Sequence, residues 1–350
     1  MTIINQVIGR CIKRCYSGYH EDLGTLTKSA SGGLAMSLSE AMIEAGGIVY
    51  GVAYTEDFYG AQFIRVSQKE DLTKLQGSKY ISASKRMGER TVYQEVLNDL
   101  NAENQVLFIG LPCEVGTLKS VLRKNGLSET NRLLAVDLFC HGPTSPKVNE
   151  EYVRTLEEQY NSKVVDFSVR YKNPNWLPMY IRAEFRNGRI FLAPFFDTDY
   201  GIAFSIMGRS ACYRCAFKGE NHQSDMTIGD YWGIKENDPG YNKKGVSIAV
   251  VYNQKAEDRL LALDSFEYQP VDIDKAFINN PLYFNQKEPH PKRDEFIQIY
   301  QKHGLHKACL STMNKKELIV RYTPKPLIQI IRPLIQTIRS LKQAVRRRIT

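Results

Sequence analysis

The sequence predicts an α/β protein that becomes α+β in its second half, with a partly parallel sheet, flanking helices, an antiparallel hairpin region and a C-terminal basic amphipathic helix. Strand–turn–helix units follow one another twice between residues 106 and 160, which is typical of neighbouring parallel strands. Short β-rich segments then alternate with turns between residues 164 and 192. From residue 327 onward, apolar residues recur every three or four positions, as on one face of a helix.

The first predicted element is a helix that begins after Gly33. Its apolar residues fall at i, i+4, i+8 and i+11 from Leu34, and Gly46 ends it. The elements that follow are two strands rich in β-branched and aromatic residues, over 48–54 and 61–67, and a helix over 89–100.

Next come the two strand–turn–helix units. The continuous apolar run over 106–109 is typical of a strand buried on both faces, and a helix is predicted over 114–124. The unit repeats with a strand over 133–139 and a helix over 145–160 that begins with a serine cap and a proline.

The pattern changes after residue 162. Strands are predicted over 164–171, 180–186 and 189–192. The Asn187-Gly188 pair predicts a type I′ turn between the last two strands.

Composition and charge narrow the class of protein. Hydrophobic residues make up 43% of the chain and charged residues 24%, as in ordinary globular proteins. No run of about 18 apolar residues predicts a membrane span. Residues 1–19 lack the apolar core of a signal peptide, so we expect a cytoplasmic protein with reduced thiols. The net charge is +9, but residues 325–350 carry seven basic side chains and no acidic ones. The nearly neutral remainder does not predict nucleic-acid binding.

Four of the seven cysteines occupy positions that suit one metal site. Cys212 and Cys215 form a C-x-x-C pair in a predicted loop. Cys113 and Cys140 each follow a predicted buried strand at the turn into a helix, and such strand ends meet at one edge of a parallel sheet. This spacing leaves zinc and iron–sulfur open. The remaining cysteines, Cys11, Cys15 and Cys309, are expected to be unliganded.

Two glycine-containing loops are candidates for cofactor binding. Ser31, Gly32 and Gly33 open a helix, where free backbone amides can hold a phosphate, although the same residues also serve as a plain helix cap. A second turn offers a cation and an aromatic ring, although it also fits a simple surface turn; its residues are Gly77, Ser78, Lys79 and Tyr80.

Two further features lie near the candidate metal site. Residues 229–233 place aromatic side chains between glycines, which suits either the wall of a planar cofactor or core packing. His141 follows one of the candidate ligands. It is expected to be a hydrogen-bond donor behind the site or a core residue rather than a catalytic group.

Taken in order, these motifs resemble the beta-subunit family of coenzyme F420 hydrogenases and dehydrogenases. The matching stretches are 29–33, 46–51 (GGIVYG), 77–80, 106–113 (VLFIGLPC), 136–142 (VDLFCHG), 212–215, 229–233 and 245–247 (GVS). The resemblance covers residues 25–285, most of the chain.

The resemblance implies an iron–sulfur flavoprotein. Electrons would pass between one [4Fe-4S] cluster and FAD, and then by hydride transfer to or from a small organic substrate or a deazaflavin. By position, the implied cluster ligands are Cys113, Cys140, Cys212 and Cys215. The two glycine-containing loops would contact the cofactor. The competing hypothesis is a zinc-stabilised binding or scaffold protein without redox chemistry.

The resemblance also indicates that the protein needs a partner that carries electrons. Family members of this subtype often begin with a ferredoxin module, whereas residues 1–24 carry only Cys11 and Cys15, too few for a cluster. We therefore expect a separate ferredoxin or electron-donor subunit.

The expected organisation has five parts. They are an N-terminal extension (1–24), the two parts of the flavin-binding core (25–105 and 106–285, the second with the cysteines), a connecting segment (286–324) and the basic tail (325–350). The amphipathic tail would either contact a membrane surface or a partner, or dock on the body of the protein.

Overall fold

An eight-stranded mixed sheet forms the centre of the computed structural model, which describes residues 14–128 and 130–313. The strand order is β13-β1-β12-β11-β7-β6-β2-β3. Neighbouring strands are parallel from β2 through β6 and β7 to β11 and antiparallel elsewhere, which confirms the predicted partly parallel sheet. The strands are β1 (Arg14–His20), β2 (Ile48–Tyr54), β3 (Ala61–Val66), β6 (Val106–Gly110), β7 (Leu133–Leu138), β11 (Met226–Asp230), β12 (Ser247–Val251) and β13 (Phe266–Val271).

Helices cover both faces of this sheet, as the continuous apolar strands predict. Leu107 and Val136 pack in one buried cluster, whereas their neighbours Phe108 and Ala135 pack in another cluster. The helices are α1 (Leu23–Lys28), α2 (Leu34–Glu44), α3 (Val92–Asn101), α4 (Pro112–Lys124), α5 (Pro146–Tyr160), α6 (Asp199–Ile206), α7 (Gln254–Leu261) and α8 (Ile273–Phe277).

Local capping chemistry explains where the predicted helices begin. Gly33 adopts φ +92° directly before α2, a conformation that favours glycine. Thr91 and Gln94 form a reciprocal capping box at the start of α3. The Ser145 hydroxyl accepts a hydrogen bond from the Lys147 amide at the start of α5. These starts lie within three residues of the predicted ones.

Strand β1 was not predicted from the sequence pattern. It pairs antiparallel with β12 on one side and with β13 on the other, although more than 200 residues separate it from both in sequence. Buried polar residues such as Ser17 interrupt its apolar pattern. At Gly18, a Cβ atom would lie 2.1 Å from the Glu267 carbonyl oxygen, so close pairing of the strands requires this glycine.

The predicted antiparallel region forms a separate three-stranded sheet. Its strands are β8 (Val164–Tyr171), β9 (Tyr180–Phe185) and β10 (Ile190–Pro194), and β9 lies in the middle. The predicted type I′ turn is wrong. Phe185 and Arg189 are hydrogen-bonded across a three-residue loop, and only Gly188 of the Asn187-Gly188 pair has a positive φ, of 78°. The third loop residue allows an ordinary turn that ends in a left-handed glycine.

The chain divides into two compact units, residues 1–290 and 291–350. The described part of the second unit contains helix α9 (Arg293–Thr312), in which Gly304 interrupts the helical backbone with φ 81°. The predicted amphipathic helix over 325–350 and Cys11 lie outside the described residues. Within the described ranges, no helix is long and apolar enough to cross a membrane.

The remaining short elements are a two-stranded ribbon and several 3₁₀ turns. The ribbon consists of β4 (Arg86–Met87) and β5 (Arg90–Thr91). The 3₁₀ turn Lys69–Leu75 lies just before the 77–80 loop, and the 3₁₀ turn Ser210–Arg214 contains the first cysteine of the C-x-x-C pair.

Candidate functional site

A cavity of about 460 Å³ lies at the carboxyl ends of parallel strands β6, β7 and β11. Gly110, Phe139 and Asp230, at or just beyond those strand ends, contribute to its lining. We call it the edge cavity. Open α/β sheets bind their ligands at this edge, and the volume is in the usual range for small-molecule and cofactor sites.

The serine–glycine loop reaches this cavity. Ser31 and Gly33 line it, and the first residues of α2 lie beside them. Gly32 does not line the cavity because it packs against the central sheet, where a Cβ atom would lie 2.3 Å from the Gly18 carbonyl oxygen. The cavity therefore meets a helix N-terminus, a place that favours negatively charged groups.

The second predicted loop also lines the cavity, through Gly77, Ser78, Lys79 and Tyr80. The Lys79 ammonium turns back toward the segment before this loop, where its three N–H groups are shared among the backbone carbonyls of residues 74–77 at 2.8–3.2 Å. Burial lowers the pKa of Lys79 to about 7. Lys79 thus stabilises the turn, while the Tyr80 ring stacks on Phe204 with a centroid distance of 4.6 Å.

Arg170, which no sequence motif marked, connects three of the motifs. Its buried guanidinium donates two hydrogen bonds to the Asp230 carboxylate, at 2.8 and 2.9 Å. It also donates to the Tyr80 hydroxyl at 3.0 Å and to the Ala30 carbonyl at 2.9 Å. The charge of Asp230 outweighs burial and raises the pKa of Arg170 above its usual value. Arg170 thereby connects the residue 29–33 loop, the 77–80 loop and strand β11.

No sequence motif marked Lys172 either, although its side chain holds the serine–glycine loop in place. Its buried amine donates to the Leu26 carbonyl at 2.7 Å and to the Ser31 carbonyl at 2.6 Å. Burial lowers the pKa of Lys172 to about 7, and the nearby positive charge of Arg170 lowers it further. Only the packing of β8 against this loop distinguishes Lys172 from the many exposed lysines of the chain.

Replacing Lys172 by methionine is expected to flatten the dependence of stability on pH between about 7 and 10. The folded-state pKa of Lys172 is about 7, well below the usual value of 10.5. The unfolded chain therefore binds more protons in this interval, and the free energy of unfolding rises with pH by up to about 1.4 kcal/mol per unit for such a group. Urea unfolding at several pH values measures this slope, to which Lys79 still contributes in the variant.

The matched control is Lys163→Met. The Lys163 side chain is 60% exposed and pairs with Glu157, and its pKa is raised. Since an exposed lysine stays protonated in both states up to about pH 9, this variant should keep the wild-type slope over that part of the interval. An unchanged slope in the Lys172 variant would contradict the assignment.

Aromatic residues form another wall of the edge cavity. Trp232 lines it and stacks on Trp176 with a centroid distance of 5.0 Å and an interplanar angle of 4°. The Trp176 indole donates to Asp230 at 3.2 Å, which couples this pair to the Arg170 ion pair. The lining by Gly229, Asp230 and Trp232 agrees with the cofactor-wall interpretation of residues 229–233.

The four predicted metal-site cysteines come from three separate parts of the chain. Cys113 is the second residue of α4, and Cys140 follows β7. Cys212 lies in the 3₁₀ turn Ser210–Arg214, which Cys215 follows. Cys140 also lines the edge cavity, whereas the other three cysteines do not.

Electrostatic interactions connect these four thiols. Cys113 is exposed at the surface, yet the atoms packed around its sulfur desolvate it enough to raise its pKa to about 11, and the charges of Cys215 and Cys212 contribute to this rise. Burial likewise raises the pKa of Cys140 to about 12, with contributions from Cys113 and Cys212. For these two thiols the direction of the pKa shift favours the protonated form. Metal coordination would supply the missing positive charge by displacing the protons.

Cysteine thiolates are the ligands of both structural zinc sites and four-cysteine iron–sulfur clusters. Among residues 14–128 and 130–313, no three His, Cys, Asp or Glu side chains are arranged to hold one metal ion.

Two basic groups and His141 surround the cysteines on the cavity side. The Lys218 ammonium donates to the Cys140 carbonyl at 2.8 Å, and its charge lowers the pKa of Cys140 in part. Lys287 lies within electrostatic reach of Cys140 and Cys212. His141 lines the cavity, and burial together with the charge of Lys218 lowers its pKa, which favours the neutral ring.

The other two described cysteines, Cys15 and Cys309, are both buried. Cys15 is 2% exposed and packs in a separate apolar cluster with Ile248 and Val250. Burial raises its pKa to about 12. Cys309 is buried in helix α9 of the second unit. That both residues are unliganded stays a prediction.

Comparison with known proteins finds a matching family model and a similar solved structure. Residues 103–272 match the sequence model of the C terminus of the coenzyme F420 hydrogenase/dehydrogenase beta subunit. Among solved structures, the chain is similar to one chain of the F420-reducing [NiFe] hydrogenase complex from Methanosarcina barkeri. The TM-score is 0.50 and the identity 17%, over 86% of this chain and 91% of that chain, so this likeness concerns the fold. No curated protein matches the sequence. Over residues 103–272, the chain is therefore similar to the coenzyme F420 hydrogenase/dehydrogenase beta-subunit family.

Proposed function

We propose that this protein is an iron–sulfur flavoprotein oxidoreductase. It would move electrons between a [4Fe-4S] cluster and FAD, and by hydride transfer to or from a small organic substrate or a deazaflavin. The observation that carries the proposal is the position of Cys140, which lines the same cavity as the serine–glycine loop and the 77–80 loop. The proposed cluster ligand and the two proposed cofactor loops therefore line one cavity.

The lining of the edge cavity supports FAD binding. Ser31 and Gly33 lie at the N-terminus of α2, where a pyrophosphate is favoured. Gly77, Ser78 and Tyr80 form the opposite loop, and Trp232 offers a flat apolar surface to a planar ring. Gly32 and Lys79 would act indirectly, through close packing and through the backbone of the loop.

Cys113, Cys140, Cys212 and Cys215 would hold the cluster. The chemistry that the two groups supply when bound is single-electron exchange at the cluster and hydride transfer at the flavin. The protein holds the two loops through hydrogen bonds from Arg170 and Lys172, and burial lowers the pKa of His141 beside the cavity. No acidic side chain other than Glu114 and Asp230 lines the cavity among the described residues, and both have basic partners.

A partner protein would supply or receive the electrons. The similar solved chain is part of a hydrogenase complex, which is a precedent for partner subunits in this fold. We propose a separate ferredoxin or electron-donor subunit as that partner.

Protein purified without oxygen is expected to be brown and to contain about four iron atoms and one flavin per chain. The measurements are a visible absorption spectrum, colorimetric iron and metal analysis by mass spectrometry. Colourless protein with stoichiometric zinc would overturn the proposal in favour of a zinc-stabilised scaffold. Protein that contains iron but no flavin would contradict the hydride-transfer part of the proposed function.

A further inference from the structure

A basic surface lies beside Cys113, the one candidate ligand that is exposed. Two segments form it, residues 82–91 and 208–221, which together carry six basic and two acidic side chains. Arg209 joins them by donating a hydrogen bond to the Ser82 hydroxyl at 3.4 Å. We call these two segments the basic rim.

The charges of the basic rim act on the cysteines. Lys85 lies close enough to Cys113 to lower its pKa in part, and Arg209 does the same for Cys212. The rim therefore adjoins the sulfur site and is not a separate patch.

Part of this positive charge is uncompensated. Lys85 pairs with Glu114 at 2.5 Å and Arg90 pairs with Glu95 at 3.3 Å. In contrast, the exposed side chains of Arg86, Arg209 and Arg214 have no carboxylate partner among the described residues. The two acidic residues of the rim, Glu89 and Glu220, are exposed and leave the rim net positive.

The cysteine site thus has two sides. Cys140 lines the edge cavity, where the cofactor and substrate would bind, whereas Cys113 is exposed and does not line that cavity. Electrons that enter or leave at Cys113 would therefore not compete with substrate for the same opening.

We propose that the basic rim docks a small acidic electron-transfer protein, whose redox centre exchanges electrons with the site at Cys113. This inference rests on the proposed function. Each encounter oxidises the carrier by one electron and passes that electron to the cysteine-bound cluster. Two such electrons, together with one proton taken from water, make up the hydride that leaves for the substrate. Complementary charge raises encounter rates by 10-fold to 1,000-fold at low salt.

The test uses the metal-loaded full chain and a chemically reduced, acidic plant-type ferredoxin as probe. Stopped-flow absorption measures the second-order rate of electron transfer between the two proteins. We expect this rate to fall about tenfold in the double variant Arg209→Gln/Arg214→Gln at low salt. The wild-type rate should also fall steeply as salt shortens the Debye length, and the variant should show a weaker salt dependence.

The matched control is Arg123→Gln/Lys124→Gln, which removes two exposed charges at the far end of α4 from Cys113. It should keep the wild-type rate. Because Arg214 lies inside the C-x-x-C motif, Arg86→Gln is a second test that leaves that motif intact. A smaller decrease is expected for this single change.

Iron content and reduction by dithionite separate the possible failures. Protein that lacks iron or flavin contradicts the proposed function itself. The docking surface alone is overturned by a different result. In that case dithionite reduces the loaded protein normally, but the rim variants react with ferredoxin at the wild-type rate and with the wild-type salt dependence. An equal loss of rate in the Arg123/Lys124 control would overturn it as well, since net charge and not the rim would then govern the encounter.

Discussion

Replacing Cys212 by serine is expected to remove most of the iron from the purified protein while leaving the flavin bound. A serine hydroxyl is a far weaker ligand than a thiolate, so a four-cysteine cluster would lose one of its anchors. Cys212 does not line the edge cavity, and the flavin loops do not depend on it. Colorimetric iron analysis and the flavin released on denaturation measure the two effects separately.

Two further variants serve as comparisons for the Cys212 variant. Cys140→Ser should lose iron and also weaken flavin retention, because Cys140 lines the cavity. Cys15→Ala should keep both groups, since Cys15 lies in a different apolar cluster. Full retention of iron in the Cys212 variant would remove this residue from the ligand set. Equal loss of iron in the Cys15 variant would point to general destabilisation instead.

Replacing Arg170 by methionine is expected to have the largest effect on stability. The Asp230 carboxylate, only 17% exposed, would lose both charge-assisted hydrogen bonds, and Tyr80 and Ala30 would each lose a donor. Removing one partner of a buried ion pair typically costs about 3–5 kcal/mol. Chemical denaturation measures the free energy of unfolding, and flavin titration of the folded variant should show weaker binding because both loops lose their common anchor.

Arg182→Met provides the matched control for the Arg170 variant. Arg182 also forms two ion pairs from the same three-stranded sheet, but its partners Asp166 and Glu184 are 56% and 41% exposed. Surface ion pairs contribute about 0–1 kcal/mol, so this variant should stay close to the wild type. If the two variants lost similar amounts of stability, burial of the Arg170 pair would not be the cause. The further variant Arg170→Met/Asp230→Asn should recover part of the loss because no unpaired carboxylate remains.

Much of the fold could be predicted because its strongest signals are local. Strands such as Val106–Gly110 are buried on both faces and therefore read as continuous apolar runs. Helices such as Pro146–Tyr160 begin at a serine cap followed by proline, which is a short-range signal. Strand β1 could not be predicted, because its partners β12 and β13 lie more than 200 residues away in sequence and its own pattern mixes polar and apolar residues.

Some residues of the candidate site could likewise be predicted from the sequence, and others could not. The cysteines and the glycine-containing loops could be found because each sits next to an element boundary that the pattern marks. Arg170 and Lys172 could not, because a buried cation and an exposed one look alike in a sequence. Lys79 shows the opposite case. Its position in a glycine-containing loop indicated a direct contact with the cofactor, whereas its ammonium binds backbone carbonyls of the segment just before that loop.

The sequence alone determined which residue types were available for redox chemistry, which strands would be parallel neighbours, and hence that Cys113 and Cys140 would reach one sheet edge. The tertiary structure decided that Cys140 faces the edge cavity while Cys113 is exposed. It also decided that Arg170 joins Asp230, Tyr80 and Ala30 in one network. The physical reason is the sequence separation over which each kind of interaction acts. Periodicity and capping act over a few residues, whereas burial and ion pairing depend on segments that meet only after the chain has folded.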